Sequence, residues 1–277
     1  MSLIFDALSY TGKPDLSVYG FSKIHIISRN ADGTTTLTQA GITAAVAAIL
    51  LTDSTPVICL DIETMPYDIR KSTPAQVDTT LTFLSQVMGW VRAAAPTSKV
   101  GFYSISPISD YWTTNMYNTA FHRQENSWWK GYTAKANSDY AAWQTANSYL
   151  SNFAATTDFV APAFYTFYDL FEAGTDGAVP DVYNGWKDAA LLTINDARRY
   201  KKPIYPFIWP QFHEGGTYKD NRYLPEDYWR AQLKWTQLNA DGVIIWGWGG
   251  FLNETWDTNV STSGWWAATL AACALIH

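Results

Sequence analysis

Short runs of apolar residues, each bounded by turn-forming residues, recur along the whole chain. They are continuous rather than alternating, which is typical of parallel strands that are covered on both faces of the sheet. Seven of these runs predict strands: Leu3 to Ala7, Ser22 to Ser28, Val57 to Asp61, Val100 to Ser104, Phe159 to Phe164, Ile204 to Trp209 and Val243 to Trp246.

Helical periodicity fills most of the intervals between these runs. The clearest helix is predicted from Thr73 to Ala95, where Thr73 and Gln76 form a capping-box pattern and Pro74 takes the first helical position. Further helices are predicted at Gly41 to Leu51, Ser138 to Asn152, Tyr183 to Tyr200, Pro225 to Leu238 and Gly264 to Ile276. The alternation predicts an α/β fold, a single TIM-like (β/α) barrel domain over residues 1–277. We expect this barrel to be distorted and seven-stranded, because no helix separates the first two strands.

The charge balance and the apolar runs exclude several classes of function. The 277 residues include 19 Lys and Arg against 25 Asp and Glu, a formal net charge of -6, which does not favour binding to nucleic acid. The longest apolar stretch, Ala44 to Leu51, is far shorter than the roughly 20 residues of a membrane span. The N-terminal residues lack the basic and apolar regions of a secretory signal, so we expect none. Compartment and oligomeric state stay open.

Two carboxylates stand at the end of the third predicted strand, where the sequence reads ICLDIETMP. The active site of a βα barrel lies at this end of its strands. In extended backbone Asp61 and Glu63 point the same way, and repulsion and desolvation then raise the pKa of one carboxyl group. Such a group serves as a general acid near neutral pH. The alternative is structural, because the same tripeptide also caps strands or pairs with Lys or Arg.

The other predicted strand ends are aromatic rather than cationic. Aromatic residues make up 16% of the chain, including 14 Trp and 17 Tyr, and their apolar bodies and polar groups suit the faces of a neutral sugar ring. The alternative is that they fill the barrel. The candidate substrate-binding residues are Tyr103, Tyr165, Tyr168, Trp209, Trp246 and Trp248.

No other chemistry is indicated by motif. The four histidines are scattered, and phosphate-binding, dinucleotide and serine-hydrolase motifs are missing, so we predict no metal site and no cofactor. Other strand-end or loop carboxylates are alternatives for a second catalytic acid: Asp6, Asp169, Glu172, Glu214, Glu254 and Asp257.

Five blocks resemble the hyaluronidase family, glycoside hydrolase family 56. The run ICLDIE resembles its acidic strand end, and GFYSISP, VAPAFYT, IYPFIWPQFHEG and NADGVIIWGWGG resemble its later strands in order. The resemblance implies a distorted seven-stranded βα barrel. A D-x-E strand end also occurs in the family 18 chitinases, whose mechanism is similar, but their further upstream aspartate has no counterpart in VICLDIE.

The resemblance also implies roles for individual residues. Glu63 would be the acid/base, Asp61 would orient and stabilise the N-acetyl group of the substrate, and Tyr165 and Trp246 would position that group. The nucleophile would be the substrate's own acetamido oxygen, so the expected reaction is retaining, substrate-assisted hydrolysis of an N-acetylhexosamine-containing polysaccharide.

The substrate class follows from charge, and one rival function stays open. The acidic chain, with almost no Lys or Arg in these blocks, favours a neutral or mixed glycan over the polyanion hyaluronan. The alternative function is a non-catalytic carbohydrate-binding barrel within a surface or particle-associated assembly.

Overall fold

A computed structural model describes residues 3–28, 37–108, 134–166, 186–214 and 221–274. The strands in these ranges pair only in parallel with one another. They are β1 (Leu3–Ser9), β2 (Ser22–Lys23), β3 (His25–Ser28), β4 (Val57–Asp61), β5 (Lys99–Phe102), β6 (Phe207–Ile208) and β7 (Gly242–Trp248). One sheet has the order β2-β1-β7-β6 and the other the order β3-β4-β5.

The two sheets join into a closed ring of seven parallel segments. On one side, β2 and β3 are a single strand interrupted at Ile24, pairing with β1 and β4 respectively. On the other side, residues 159–166 lie between β5 and β6 and form parallel bridges to both, at Tyr103, Ile204 and Phe207. We call residues 159–166 the bridge segment. The structure therefore confirms the distorted seven-stranded barrel.

Prolines explain why two predicted strands are irregular. The runs Phe159 to Phe164 and Ile204 to Trp209 form isolated bridges, with only Phe207–Ile208 assigned as a strand. Pro162 and Pro206 interrupt these runs and have no N–H group to donate to a ladder. The backbone still passes close enough for Tyr205 N to donate to Val160 O at 2.9 Å, so the barrel closes.

The helices follow the predicted periodicity and surround the barrel. The capping box is present at α2: Thr73 accepts from the backbone of Gln76, whose side chain accepts from the backbone of Thr73. The helices are α1 (Gln39–Leu50), α2 (Pro74–Ala94), α3 (Ala134–Tyr149), α4 (Ser151–Thr156), α5 (Trp186–Ala197), α6 (Glu226–Asn239) and α7 (Gly264–Ala274). In the described ranges, none of them combines the length and the apolar character needed to cross a bilayer.

Buried side chains separate into an inner cluster and outer clusters. The inner cluster contains residues from all seven ring segments and none from a helix, among them Phe5, Cys59, Phe207 and Ile244. The outer clusters combine the intervening strand residues with the helices, as where Leu60 packs with α2. Side-chain alternation along each strand thus decides whether a residue points into the barrel or towards the helix layer.

Candidate active site

Alternation along β4 directs Asp61 into the barrel. Cys59 belongs to the inner cluster, whereas Ile58, Leu60 and Ile62 are all fully buried in the outer cluster around α1 and α2. Asp61 therefore shares the inward face with Cys59, and its charge contributes to the raised pKa of the Cys59 thiol, whose main cause is burial. The Asp61 carboxyl group therefore lies at the C-terminal end of the strand, next to the packed interior of the barrel.

Glu63 lies just beyond β4, in a turn. The strand ends at Asp61, so the extended backbone assumed from the sequence does not continue to Glu63. Because Ile62 is anchored in the outer cluster, the residues on either side of it stay near each other at the barrel mouth. The charge of Asp61 acts on Glu63, which shows that the two carboxyl groups remain within electrostatic reach.

Both carboxyl groups have raised pKa values. Desolvation by burial raises the pKa of Asp61 to about 6. The side chain of Glu63 is exposed, yet nearby protein atoms displace much of the water around its carboxyl group. This desolvation, followed by the charge of Asp61, raises the pKa of Glu63 to about 7. Near neutral pH, Glu63 can therefore hold a proton while Asp61 is largely ionised.

Ion pairing, one of the two structural alternatives for the D-x-E tripeptide, does not apply in the described part of the chain. There, neither Asp61 nor Glu63 takes part in an ion pair. Other candidate acids do have local partners: Asp6 pairs with Lys13 at 2.5 Å, and Glu254 accepts from the Tyr223 hydroxyl. Glu214 and Asp257 are exposed, and Asp169 and Glu172 lie outside the described residues.

Four of the predicted aromatic residues form one cluster on the ring segments that follow β4. Tyr165 lies 6.1 Å from Tyr103 and 5.8 Å from Trp246, measured between ring centroids, and Trp209 is edge-on to Trp246 at 4.8 Å. Tyr103 adjoins Asp61, since its backbone N–H donates to Leu60 O at 3.0 Å. We call Tyr103, Tyr165, Trp209 and Trp246 the aromatic wall.

Members of the aromatic wall differ in how much surface they present. Trp209 is only 1% exposed and lies behind its neighbours, whereas Trp246 is partly exposed at the mouth. Tyr103 and Tyr165 are buried except for a small fraction of their surface. Trp209 was expected to contact substrate directly, but this geometry makes it a support for the other rings.

Of the remaining two aromatic candidates, the structure describes Trp248. Trp248 follows Trp246 by two residues on β7 and is 47% exposed, with its indole lying against Gly250. Tyr168 lies outside the described residues.

One ring of the site was missed in the sequence. His213 stacks on Tyr165 at 5.8 Å and 23°, and its Nδ1 lies 2.8 Å from the backbone oxygen of Glu214. The backbone N–H of His213 donates to Thr166 O at 2.7 Å, which attaches it to the bridge segment. The signal was available, because His213 continues the alternation that directs Phe207 and Trp209 inward.

The side of the ring opposite the aromatic wall carries small residues. Ala7 is the register partner of Trp246, and Ser28 is the register partner of Asp61. Their side chains share the face of their partners in a parallel sheet, so among the described strand residues small side chains lie beside Trp246 and Asp61 on this side of the ring.

The barrel is similar in fold to solved structures of known proteins. No family model and no curated protein sequence matches the chain. Among solved structures, bee venom hyaluronidase bound to a hyaluronic acid tetramer is similar at 13% identity and a TM-score of 0.56, covering 100% of this chain and 96% of that one. A monoclinic crystal structure of the bee venom enzyme gives 13% identity and a TM-score of 0.57, with coverage of 100% and 97%. The protein therefore has a hyaluronidase-like barrel fold.

Proposed function

We propose that the protein is a retaining glycoside hydrolase that cleaves N-acetylhexosamine-containing polysaccharides by a substrate-assisted mechanism. The observation that carries the proposal is the pair Asp61 and Glu63, with raised pKa values and no ion pair among the described residues, at the mouth of a barrel beside an aromatic wall. Raised pKa values of clustered acids are typical of catalytic sites. The hyaluronidase-like fold is consistent with this chemistry.

In the proposed first step, protonated Glu63 donates its proton to the glycosidic oxygen as the bond from that oxygen to C1 breaks. The carbonyl oxygen of the substrate's acetamido group attacks C1 from the opposite face and forms an oxazolinium ion. Ionised Asp61 orients the acetamido N–H and stabilises the positive charge, while Tyr165 and Trp246 confine the group. The leaving sugar departs as an alcohol.

In the second step, the Glu63 carboxylate removes a proton from water, and the water oxygen attacks C1. The ring of the oxazolinium opens, which restores the acetamido group and gives net retention of configuration. The reaction requires ionised Asp61 and protonated Glu63 together, so we expect a bell-shaped pH profile. The acid limb of this profile should lie near pH 6 and its alkaline limb near pH 7.

The favoured substrate is a neutral or mixed glycan. The rings of Tyr165 and Trp246 pack together at the described mouth, and the chain as a whole carries a formal net charge of -6. A long polyanion would be repelled by that charge, more strongly at low ionic strength.

The test is to incubate the protein with neutral and acidic N-acetylhexosamine glycans and to measure new reducing ends. Proton NMR of the first product should show the anomer of the cleaved linkage. Substrate assistance is examined with a partly N-deacetylated form of the cleaved glycan, in which the bond on the reducing side of a deacetylated sugar should resist cleavage because the internal nucleophile is missing. Equal cleavage of the bonds that follow acetylated and deacetylated sugars, or inversion of configuration at C1, would reject the mechanism. Binding of a glycan without any cleavage would favour the non-catalytic barrel.

A further inference from the structure

After β6, every second residue of the chain belongs to the site region: these residues are Trp209, Gln211 and His213. Phe207 and Trp209 belong to the inner cluster, and His213 packs edge-on against Trp209 at 5.8 Å and 90°. Gln211 lies between them in sequence and is fully buried. A polar amide therefore occupies an enclosed position within the aromatic part of the site.

The amide of Gln211 is oriented by a single contact. The indole Nε1–H of Trp209 donates to Gln211 Oε1 at 2.8 Å. Because an indole N–H can only donate, the oxygen of the amide must face Trp209, and the nitrogen must point away. That nitrogen, Nε2, is buried and has no hydrogen-bond partner among the described residues. A buried unpaired donor costs stability, so the contribution of Gln211 lies in the contact with Trp209 rather than in a complete network.

Trp209 contacts both Gln211 and the exposed part of the aromatic wall. Its ring is edge-on to Trp246 at 4.8 Å and 81°, and to Tyr165 at 5.7 Å and 68°. Trp209 is buried, whereas Trp246 is partly exposed. Rotation of the Trp209 indole would therefore move the surface against which the accessible ring of Trp246 packs.

We propose that Gln211 is a positioning residue of the glycan site: by holding the indole N–H of Trp209, it sets the orientation in which Trp246 meets a sugar ring. The role in sugar binding rests on the proposed function. The effect on the orientation of Trp246 does not, because it follows from the contacts within the protein.

A double-mutant cycle on binding tests the role in the site. Gln211→Met removes the acceptor at similar length, and Trp209→Phe removes the N–H donor. With a neutral N-acetylglucosamine tetrasaccharide as the probe, Gln211→Met should raise KM, or Kd where only binding is seen, by about 2- to 10-fold. The turnover number should change less than about twofold, because the lost contact acts on binding rather than on the acids. In the Trp209→Phe background, Gln211→Met should add almost nothing. Equal losses in the two backgrounds would overturn the proposal.

The matched control is Gln232→Met. Gln232 on α6 is another buried glutamine with an unpaired amide atom, and its Nε2 donates to Thr166 Oγ1 at 2.7 Å. It has no ring of the aromatic wall as its hydrogen-bond partner, so this variant should lose stability without the change in KM. If Gln211→Met does not fold, Gln211→Asn replaces it, because the shorter amide does not reach the indole.

An NMR experiment decides the internal part of the proposal without any glycan. The indole N–H resonances of Trp209 and Trp246 are assigned by their loss in Trp209→Phe and Trp246→Phe. Gln211→Met should shift both resonances, whereas Gln232→Met should leave that of Trp246 in place. An unchanged Trp246 resonance in Gln211→Met would reject the proposal. If the wild-type protein binds and cleaves no glycan, the proposed function fails, and these spectra still show whether Gln211 orients Trp246.

Discussion

Two acidic sites in the same stretch of chain have opposite electrostatic properties. Asp61 and Glu63 have raised pKa values because burial disfavours their charged forms. Asp68, five residues after Glu63, is only 6% exposed, and burial alone would raise its pKa as well. The hydrogen bonds and charge of Arg70, with a further contribution from Lys71, outweigh burial and lower the pKa of Asp68. The guanidinium of Arg70 holds both carboxylate oxygens of Asp68, with Nη2 at 2.7 Å from Oδ2 and Nε at 3.0 Å from Oδ1.

The difference lies in the cationic partner. Burial acts on the carboxyl groups of both sites, but the pKa of Asp68 is lowered because Arg70 compensates its charge. Asp61 and Glu63, which have no cationic partner among the described residues, are suited to proton transfer. Asp68, whose charge is compensated by Arg70, is suited to stabilising the loop. The following predictions test this division.

The largest expected effect is on catalysis by Glu63. Glu63→Gln removes the proton donor without a large change in shape, and kcat should fall by about 10²- to 10⁴-fold. The matched control is Glu226→Gln, the same chemical change at an exposed carboxylate on α6, which should leave kcat nearly unchanged. Reducing-end assays measure both variants, and normal turnover by Glu63→Gln would remove it from the mechanism.

The second effect is on the stability of the loop. Arg70→Met removes the guanidinium and leaves buried Asp68 with the backbone N–H of residue 70 at 2.9 Å and the weaker Lys71 contact at 3.7 Å, so the free energy of unfolding should fall by about 1 to 3 kcal/mol. Because the pKa of Asp68 is lowered in the folded protein, wild type has this stabilisation above the unfolded pKa of about 4 and loses it at lower pH. The deficit of Arg70→Met, measured by urea unfolding, should therefore shrink below that pH. A deficit independent of pH would indicate lost packing instead.

The acid pair should show the opposite pH dependence of stability, with a smaller amplitude. Raised pKa values mean that folded Asp61 and Glu63 bind protons more tightly than in the unfolded chain. Their ionisation therefore destabilises the fold as pH rises from about 4 to about 7. Asp61→Asn should raise Tm relative to wild type at pH 8 but not at pH 4, while lowering activity. Asp68→Asn should instead lower Tm at pH 8, and the same sign for both variants would refute the contrast.

The smallest effect expected is a shift of the pH profile after a cation is added to the uncompensated site. Ser28→Arg places a guanidinium on the register partner of Asp61, and should lower the pKa of that carboxyl group. The acid limb of kcat/KM should move down by about one pH unit. Ser28→Gln, which is long and neutral, is the control, and equal shifts in both variants would mean that charge is not the cause.

Much of the fold could be predicted from local pattern. The capping box of Thr73 and Gln76 and the strand Val57–Asp61 appear as expected, and the first two strands are joined by a short 3₁₀ helix, Leu16–Tyr19, rather than by an α-helix. These features depend on a few neighbouring residues, whose chemistry is visible in the sequence. The irregular bridge segment was predicted as an ordinary strand. Pro162 has no N–H group, and whether this interrupts a strand depends on whether the neighbouring strand has an acceptor at that position.

The candidate site was predicted in part. Asp61, Tyr103, Tyr165, Trp209 and Trp246 come from successive segments of the ring, and barrel closure brings them to one end. His213 and Gln211 were missed. Alternation from Phe207 and Trp209 already indicates their direction, but their contacts with Tyr165 and Trp209 arise only when the segment after β6 packs in the barrel.

By itself, the sequence determined the order of strands and helices, the inward direction of Asp61 and the aromatic character of the strand ends, because alternation and helical periodicity are local properties. Only the tertiary structure decided that Trp209 is buried behind Trp246, and that Asp68 has a guanidinium partner whereas Glu63 has no ion-pair partner among the described residues. Exposure and pKa depend on which distant atoms displace water or bring charge near a group, and those atoms are chosen by the packing of the whole barrel.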